Sequence, residues 1–227
     1  VIVRLETETG LSCFGVGCPE TLLTGETAAT VKAGLDEVLP SLIDQDGLER
    51  ARIVREIRHA YPGRPALRAA VDLALHDLLG KVARQPTWRL LGGYRREIAT
   101  AATVGILDPS ATVDRAVRLV AAGFKTLKLK GGLDPDGDVD RVQRVRTAVG
   151  PGIELWLDPN QGYTVEVARQ VARALADTIS LFEQPTPRDD PGALAAVAAG
   201  SPVPVYADES VLEAVDAVFG DASRTPG

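Results

Sequence analysis

The sequence predicts an α+β block followed by part of an α/β barrel of the TIM type, with about five of the eight (β/α) units. Three observations carry this reading. Four strand-like runs, FKTLKLKGG, IELWLDPNQ, ISLFEQP and VPVYADES, place charged residues at their ends: Lys128 and Lys130, then Asp158, Glu183 and Asp208. The steps from Lys130 through the three carboxylates are 28, 25 and 25 residues, the length of one strand, one helix and two loops. Before residue 98 the order differs, with strands first and helices after. The boundary therefore falls between residues 1–97 and 98–227.

VIVRLET alternates apolar and polar residues, TETG is a turn, and LSCFGVG reads as the second strand of a hairpin. Residues 27–57 carry helical spacing, as in Val31, Leu35, Val38 and Leu39. Pro65 opens a further helix, in which Leu67, Ala70, Val71, Ala74, Leu75 and Leu78 form an apolar stripe. From Ile98 onward, strands are expected near 98–106, 124–130, 153–158, 179–183 and 203–207. Helices are expected near 110–122, 137–149, 164–177, 190–199 and 211–219. Gly123, Gly150-Pro151-Gly152 and Ser201-Pro202 mark loops between them. Repeated βαβ units imply a parallel sheet with right-handed crossovers. A closed barrel needs eight strands and roughly 250 residues. The expectation is therefore a five-stranded open sheet, with three barrel strands absent and exposed sheet edges that promote association.

The chain has 227 residues, 45% hydrophobic and 25% charged, the composition of a globular protein. A net charge of −6 argues against a nucleic-acid partner, which selects a basic face. No apolar run approaches the roughly 20 residues of a membrane span, and VIVRLETETG is not a secretory signal. A cytoplasmic location is expected. Cys13 and Cys18 are the only cysteines. They read as reduced, buried or half-buried thiols, with a local disulfide as the alternative. His59 and His76 are the only histidines, and His76 falls within an apolar helix as a packed residue.

Side chains two apart on a strand share a face, so Lys128 and Lys130 point together while Leu127 and Leu129 point away. Alone, the pair reads first as solvated surface lysines. Beside the carboxylates it suits a base, because neighbouring positive charges lower a lysine's pKa. Asp158, Glu183 and Asp208 each end an apolar run. Each could cap a following helix. As a periodic trio, they suit a hard cation, Mg²⁺ or alternatively Mn²⁺. Asn160 falls two residues after Asp158, where it could bond to a metal shell or shape a turn. Thr103 ends the first barrel strand, where strand propensity alone could explain it.

These residues sit in a longer series of motifs: TGET at 24–27, ALHDLLGK at 74–81, LLGG at 90–93, TVGI at 103–106, KLK at 128–130, DPNQGY at 158–163, FEQP at 182–185 and ADES at 207–210. In this order and spacing the series resembles the enolase superfamily, in its muconate-lactonising and dipeptide-epimerase branch, with both ends of the family pattern missing. The resemblance makes residues 1–97 a capping domain that lacks its first strand, with Glu26 and the loop 15–27 closing over substrate. It makes Lys130 the base and Lys128 its electrostatic support, with Asp158, Glu183 and Asp208 on Mg²⁺ and Thr103 and Asn160 contacting substrate. It implies removal of the α-proton of a carboxylate substrate to give an enediolate, with epimerisation of a dipeptide as the outcome. Cycloisomerisation, an o-succinylbenzoate-synthase-like elimination and a catalytically inactive fragment are the alternatives. A homo-oligomer is expected for the full-length form. Because the sixth to eighth strands are missing, the chain alone is expected to turn over poorly.

Overall fold

A computed structural model describes residues 1–212. The chain divides into two compact units between Arg96 and Glu97.

The first unit opens with the antiparallel strands β1 (Ile2–Glu6) and β2 (Ser12–Val16), paired from Ile2 with Val16 to Glu6 with Ser12. The one-turn helix α1 (Thr21–Thr24) leads into α2 (Ala28–Val38), which Thr27 and Thr30 cap reciprocally. A single helical stretch across 27–57 is not what forms. α2 passes into a 3₁₀ turn at Leu39–Leu42 with Pro40 at its start, and Asp44 turns the chain at φ 62°. Asp46 then accepts from the Leu48 amide before α3 (Arg50–Ala60) begins. Proline and an Asx turn interrupt the backbone ladder where side-chain spacing alone continues.

The longest helix, α4 (Pro65–Ala83), buries the expected stripe of Leu67, Ala70, Val71, Ala74, Leu75 and Leu78. It lies against β2, and the small residues explain how closely. A side chain at Gly15 would fall onto the Ala70 carbonyl oxygen, and one at Gly17 would crowd that of Ala66. Val3, Val31, Leu35, Ile53 and Ile57 complete this core. Cys13 is buried within the unit, whereas Cys18 is exposed rather than half-buried, and both are free thiols. His76 is partly buried, with Nδ1 3.0 Å from the Asp72 carbonyl oxygen one turn earlier. α5 (Thr87–Leu90) closes the described part of the unit.

Glu26, in the loop 15–27, turns into the first unit. It is 2% exposed, and its carboxylate accepts from the backbone N–H groups of Ala66 at 2.7 Å and Leu67 at 3.1 Å. These are orphan donors of the first turn of α4, whose own N-cap residue, Arg64, makes no side-chain cap. The charge also sits favourably at the positive end of a 19-residue helix. Glu26→Ala is expected to destabilise the chain by about 2–4 kcal/mol, from the lost cap and two stranded buried donors. Urea unfolding checks this, and an unchanged midpoint would refute the role.

The second unit is a parallel sheet whose five described strands lie in chain order: β3 (Ala101–Val104), β4 (Thr126–Lys130), β5 (Glu154–Asp158), β6 (Leu181–Glu183) and β7 (Val205–Tyr206). Helices α6 (Pro109–Ala121), α7 (Pro135–Val149), α8 (Val165–Ala174) and α9 (Pro191–Gly200) connect them. All but the first two residues of the expected helix at 211–219 lie outside the described residues. Three of the four helices in this unit open with proline at N1 or N2, where its missing N–H costs nothing; α8 has none there and is capped by Thr164.

One face of the sheet is buried by the helices. Leu127, Leu129, Leu155, Leu157 and Phe182 meet Val142, Val145, Val171, Leu175 and Val197 there. The alternate positions, Lys128, Lys130, Trp156, Asp158 and Glu183, take the other face. Parallel strands in consecutive order, covered by helices on one face, form part of a (β/α) barrel. β3 and β7 are the outer strands among the described residues.

Candidate functional site

Four strands bring the charged residues to one end of the sheet. Strand pairing sets Lys130 beside Asp158, and the β5–β6 register carries Asp158 to the level of Glu183. Lys128 Nζ lies 2.9 Å from Asp158 Oδ2 and 2.6 Å from Glu183 Oε1. Lys130 Nζ lies 2.6 Å from the same Asp158 oxygen and donates to Asn160 Oδ1 at 2.7 Å. Asp158 is fully buried, and the Lys128 and Glu183 side chains keep 19% and 15% of their surface. Thr103 is the register partner of Lys128 on the next strand and is exposed. Asp208 follows β7 at the same end and is exposed.

The electrostatics tie the carboxylates together. Burial pushes the Glu183 carboxyl above its usual range. The Lys128 ammonium pulls it back, and the charges of Asp158 and Asp208 push it up again. Glu183 therefore feels both other carboxylates. The lowered basicity expected for the lysines is not what Lys128 shows. Its burial alone would lower its pKa, but hydrogen bonds to Glu183 and Asp158 and their charges outweigh this and raise it. The two partners do not shift in mirror fashion, because burial raises the Glu183 carboxyl and its two anionic neighbours add to that.

Among the described residues no three acidic, histidine or cysteine side chains stand together as a ready metal cage. The Lys128 ammonium lies between Asp158 and Glu183 instead, and that of Lys130 between Asp158 and Asn160. The donor chemistry nevertheless fits a hard dication: three carboxylates at adjacent strand ends, one wholly buried and one carrying the load of its two neighbours.

The loops that carry these groups are cross-braced by residues that strand periodicity does not single out. Asp138, on α7 and 1% exposed, accepts from the Gly132 amide at 2.7 Å, from the Tyr163 hydroxyl and from Arg141. Arg141 also donates to the Lys130 carbonyl at 3.2 Å. Burial, then the Asp138 hydrogen bond, drives the Tyr163 phenol far above its ordinary pKa, so it stays a donor. This clamps the loop after Lys130 to the loop after Asp158. Gly132 and Gly162 meet backbone to backbone there, and a side chain at either would strike the other loop.

Gln184 does the same work between the next two strands. Wholly buried, it accepts with Oε1 from the Asp208 amide at 2.9 Å and the Ser210 amide at 3.2 Å. Its Nε2 donates to the Ser210 hydroxyl at 2.7 Å. The signal for both braces was in the motifs: the glutamine of FEQP and the tyrosine of DPNQGY are polar groups next to buried strand ends.

Two family descriptions match the chain. One is the N-terminal domain of mandelate racemase and muconate lactonizing enzyme, over residues 1–92. The other is the enolase C-terminal domain-like family, over residues 111–218. A hydrophobic dipeptide epimerase from Enterococcus faecalis is 38% identical over 218 residues, which are 96% of this chain and 62% of that protein. An L-Ala-D/L-Glu epimerase from Bacillus subtilis is 33% identical over 93% of this chain and 59% of its own length. The chain thus spans about three fifths of the length of these curated relatives. A crystal structure of dipeptide epimerase from Enterococcus faecalis with Mg and the dipeptide L-Leu-L-Tyr superposes with a TM-score of 0.94. That match covers 96% of this chain and 62% of the other, at 38% identity. The Methylococcus capsulatus dipeptide epimerase with Mg and L-Arg-D-Lys gives 0.90 at 32% identity, over 96% of this chain and 62% of that one. With both family domains matched in order and the strand-end lysines and carboxylates gathered on one sheet, the chain belongs to the enolase superfamily, in its muconate-lactonising and dipeptide-epimerase branch.

Proposed function

We propose that this chain carries the metal-binding half and one base of a dipeptide epimerase. The observation that supports this best is the placement of Lys130 and Lys128 on one face of β4, in direct contact with the carboxylates of the next two strands. Asp158, Glu183 and Asp208 are assigned to Mg²⁺, with Mn²⁺ as a second hard cation that the same oxygens accept. When bound, the ion offsets the negative charge that develops on the substrate carboxylate as the neighbouring α-proton leaves.

The remaining work falls to the protein. Lys130, at the strand end and 29% exposed along its side chain, is assigned as the base that takes the α-proton with its Nζ. Lys128 lies deeper and is held by two carboxylates. It is assigned to charge support beside the substrate carboxylate. Thr103, in register with Lys128, and Asn160 are assigned to substrate contact. Domain 1–97 is assigned as the cap and domain 98–227 as the catalytic part. The dipeptide class follows the relatives, whose printed substrates run from L-Ala-D/L-Glu to L-Arg-D-Lys.

The metal reading is tested by calorimetric titration of the chain with Mg²⁺ or Mn²⁺. Asp158→Asn removes one negative charge from a wholly buried position, and affinity is expected to fall roughly 10²-fold. Lys128→Met is expected to raise affinity, because one competing ammonium is gone. Unchanged affinity in Asp158→Asn would end the assignment of these carboxylates.

A further inference from the structure

Glu209 stands next to Asp208, yet its environment is the opposite. Asp208 is exposed, whereas Glu209 is 7% exposed. Glu209 Oε1 accepts from Asn160 Nδ2 at 3.1 Å, and Oε2 has no hydrogen-bond partner among the described residues. Asn160 is fixed by two further contacts. Its backbone N–H donates to Asp158 Oδ1 at 2.9 Å, and its Oδ1 accepts from Lys130 Nζ at 2.7 Å. Its backbone lies at φ 45°, a region that asparagine tolerates better than most residues.

A buried carboxylate facing an amide has a directional consequence. A carboxylate can only accept, and a lysine ammonium can only donate. An asparagine between them satisfies both in one orientation alone, with its amide nitrogen toward the carboxylate and its oxygen toward the lysine. Glu209 and Lys130 therefore hold Asn160 from its two ends, the amide nitrogen toward Glu209 and the oxygen toward Lys130. The loop carrying Glu209 is itself pinned by Gln184 to the amides on either side, Asp208 and Ser210. Three strand ends are thereby linked, through β7, β5 and β4.

The geometry points to Glu209 as a positioning residue that, through the Asn160 amide, fixes the direction of the Lys130 ammonium. This deepens the proposed function, since it rests on Lys130 being the base, while the hydrogen-bond relay itself can be measured without any reaction. Isosteric Glu209→Gln is the main variant, because glutamine can either donate or accept and no longer dictates the Asn160 orientation.

Two measurements test the proposal. In ¹⁵N-labelled chain without metal or substrate, the Asn160 side-chain amide signals are expected to shift and lose exchange protection in both Glu209→Gln and Lys130→Met. Asn160 signals that ignore Glu209→Gln in a folded spectrum would overturn the relay. The second measurement is exchange of the dipeptide α-proton in D₂O with Mg²⁺, using L-Ala-L-Glu as the probe. Glu209→Gln is expected to slow it by roughly 10- to 100-fold with KM and Mg²⁺ affinity unchanged, since only the aim of the base is lost. The double variant Glu209→Gln/Asn160→Leu is expected to be no slower than Asn160→Leu alone, because both act through one amide. Additive losses, or a fall in Mg²⁺ affinity matching the fall in rate, would overturn the proposal in favour of a role at the metal site. If the unaltered chain shows no exchange at all, which agrees with the poor turnover expected of it, the amide signals alone decide the relay.

Discussion

Lys130→Ala is expected to slow exchange of the substrate α-proton with solvent by about 10²–10⁴-fold, the usual cost of losing a general base. Affinity for Mg²⁺ is expected to survive. Lys130 contacts Asp158 only through an oxygen that Lys128 also holds, so its removal leaves the buried carboxylate with a counter-charge. Lys128→Ala is expected to do less to the exchange step and more to the electrostatic balance, because it bridges Asp158 and Glu183. The measurement is the loss of the α-proton signal of a dipeptide in D₂O, followed by NMR for each variant. Exchange at an unaltered rate in Lys130→Ala would place the base elsewhere. A parallel collapse of metal affinity would show that Lys130 supports the carboxylates rather than the proton transfer.

The positions of Lys130 and its carboxylates were legible in the sequence because a parallel barrel repeats. Each strand ends after a fixed length of chain, and a charged residue after an apolar run of that spacing can point to few other places. The same regularity made Leu127 and Leu129 readable as core and the lysines as their opposites. The bracing residues were not legible in this way. Asp138 lies on a helix whose sequence, PDGDVDRVQRVRTAV, is charged at many positions, and nothing in its periodicity marks one aspartate as buried. The capping role of Glu26 is hidden in the sequence for a related reason. Nothing in the segment GET before α2 points to its partner, and its carboxylate is recruited by α4, 40 residues later in the chain. Long-range capping leaves no local signature. Glu209 was passed over because Asp208 satisfied the spacing. The neighbour's burial depends on how Gln184 folds the loop back, which spacing does not encode. The cut between α2 and α3 was carried by Pro40 and Asp46, and helical spacing on both sides obscured it.

Asp138→Ala is expected to destabilise the chain by about 3–5 kcal/mol. The carboxylate is 1% exposed and serves three donors at once, the Gly132 amide, the Tyr163 hydroxyl and Arg141. Alanine would leave a guanidinium with 11% side-chain exposure lacking its counter-ion. Breaking a buried pair from one side costs this much because the remaining charge stays desolvated. Tyr163→Phe removes a single hydrogen bond from the same cluster and is expected to cost about 1–3 kcal/mol. The ordering of the two variants in urea unfolding is the first check, and equal midpoints would contradict the shared-acceptor account. A functional consequence follows from the same contacts. Asp138 holds the Gly132 loop against the Gly162 loop, and Gly131 N–H donates to the Asp158 carbonyl at 2.9 Å. Release of that contact frees the backbone beyond Lys130 and Asp158 together. Mg²⁺ affinity should therefore fall in Asp138→Ala even at temperatures where the chain remains folded, although Asp138 itself is no part of the carboxylate trio. Affinity equal to that of the unaltered chain would confine Asp138 to stability alone.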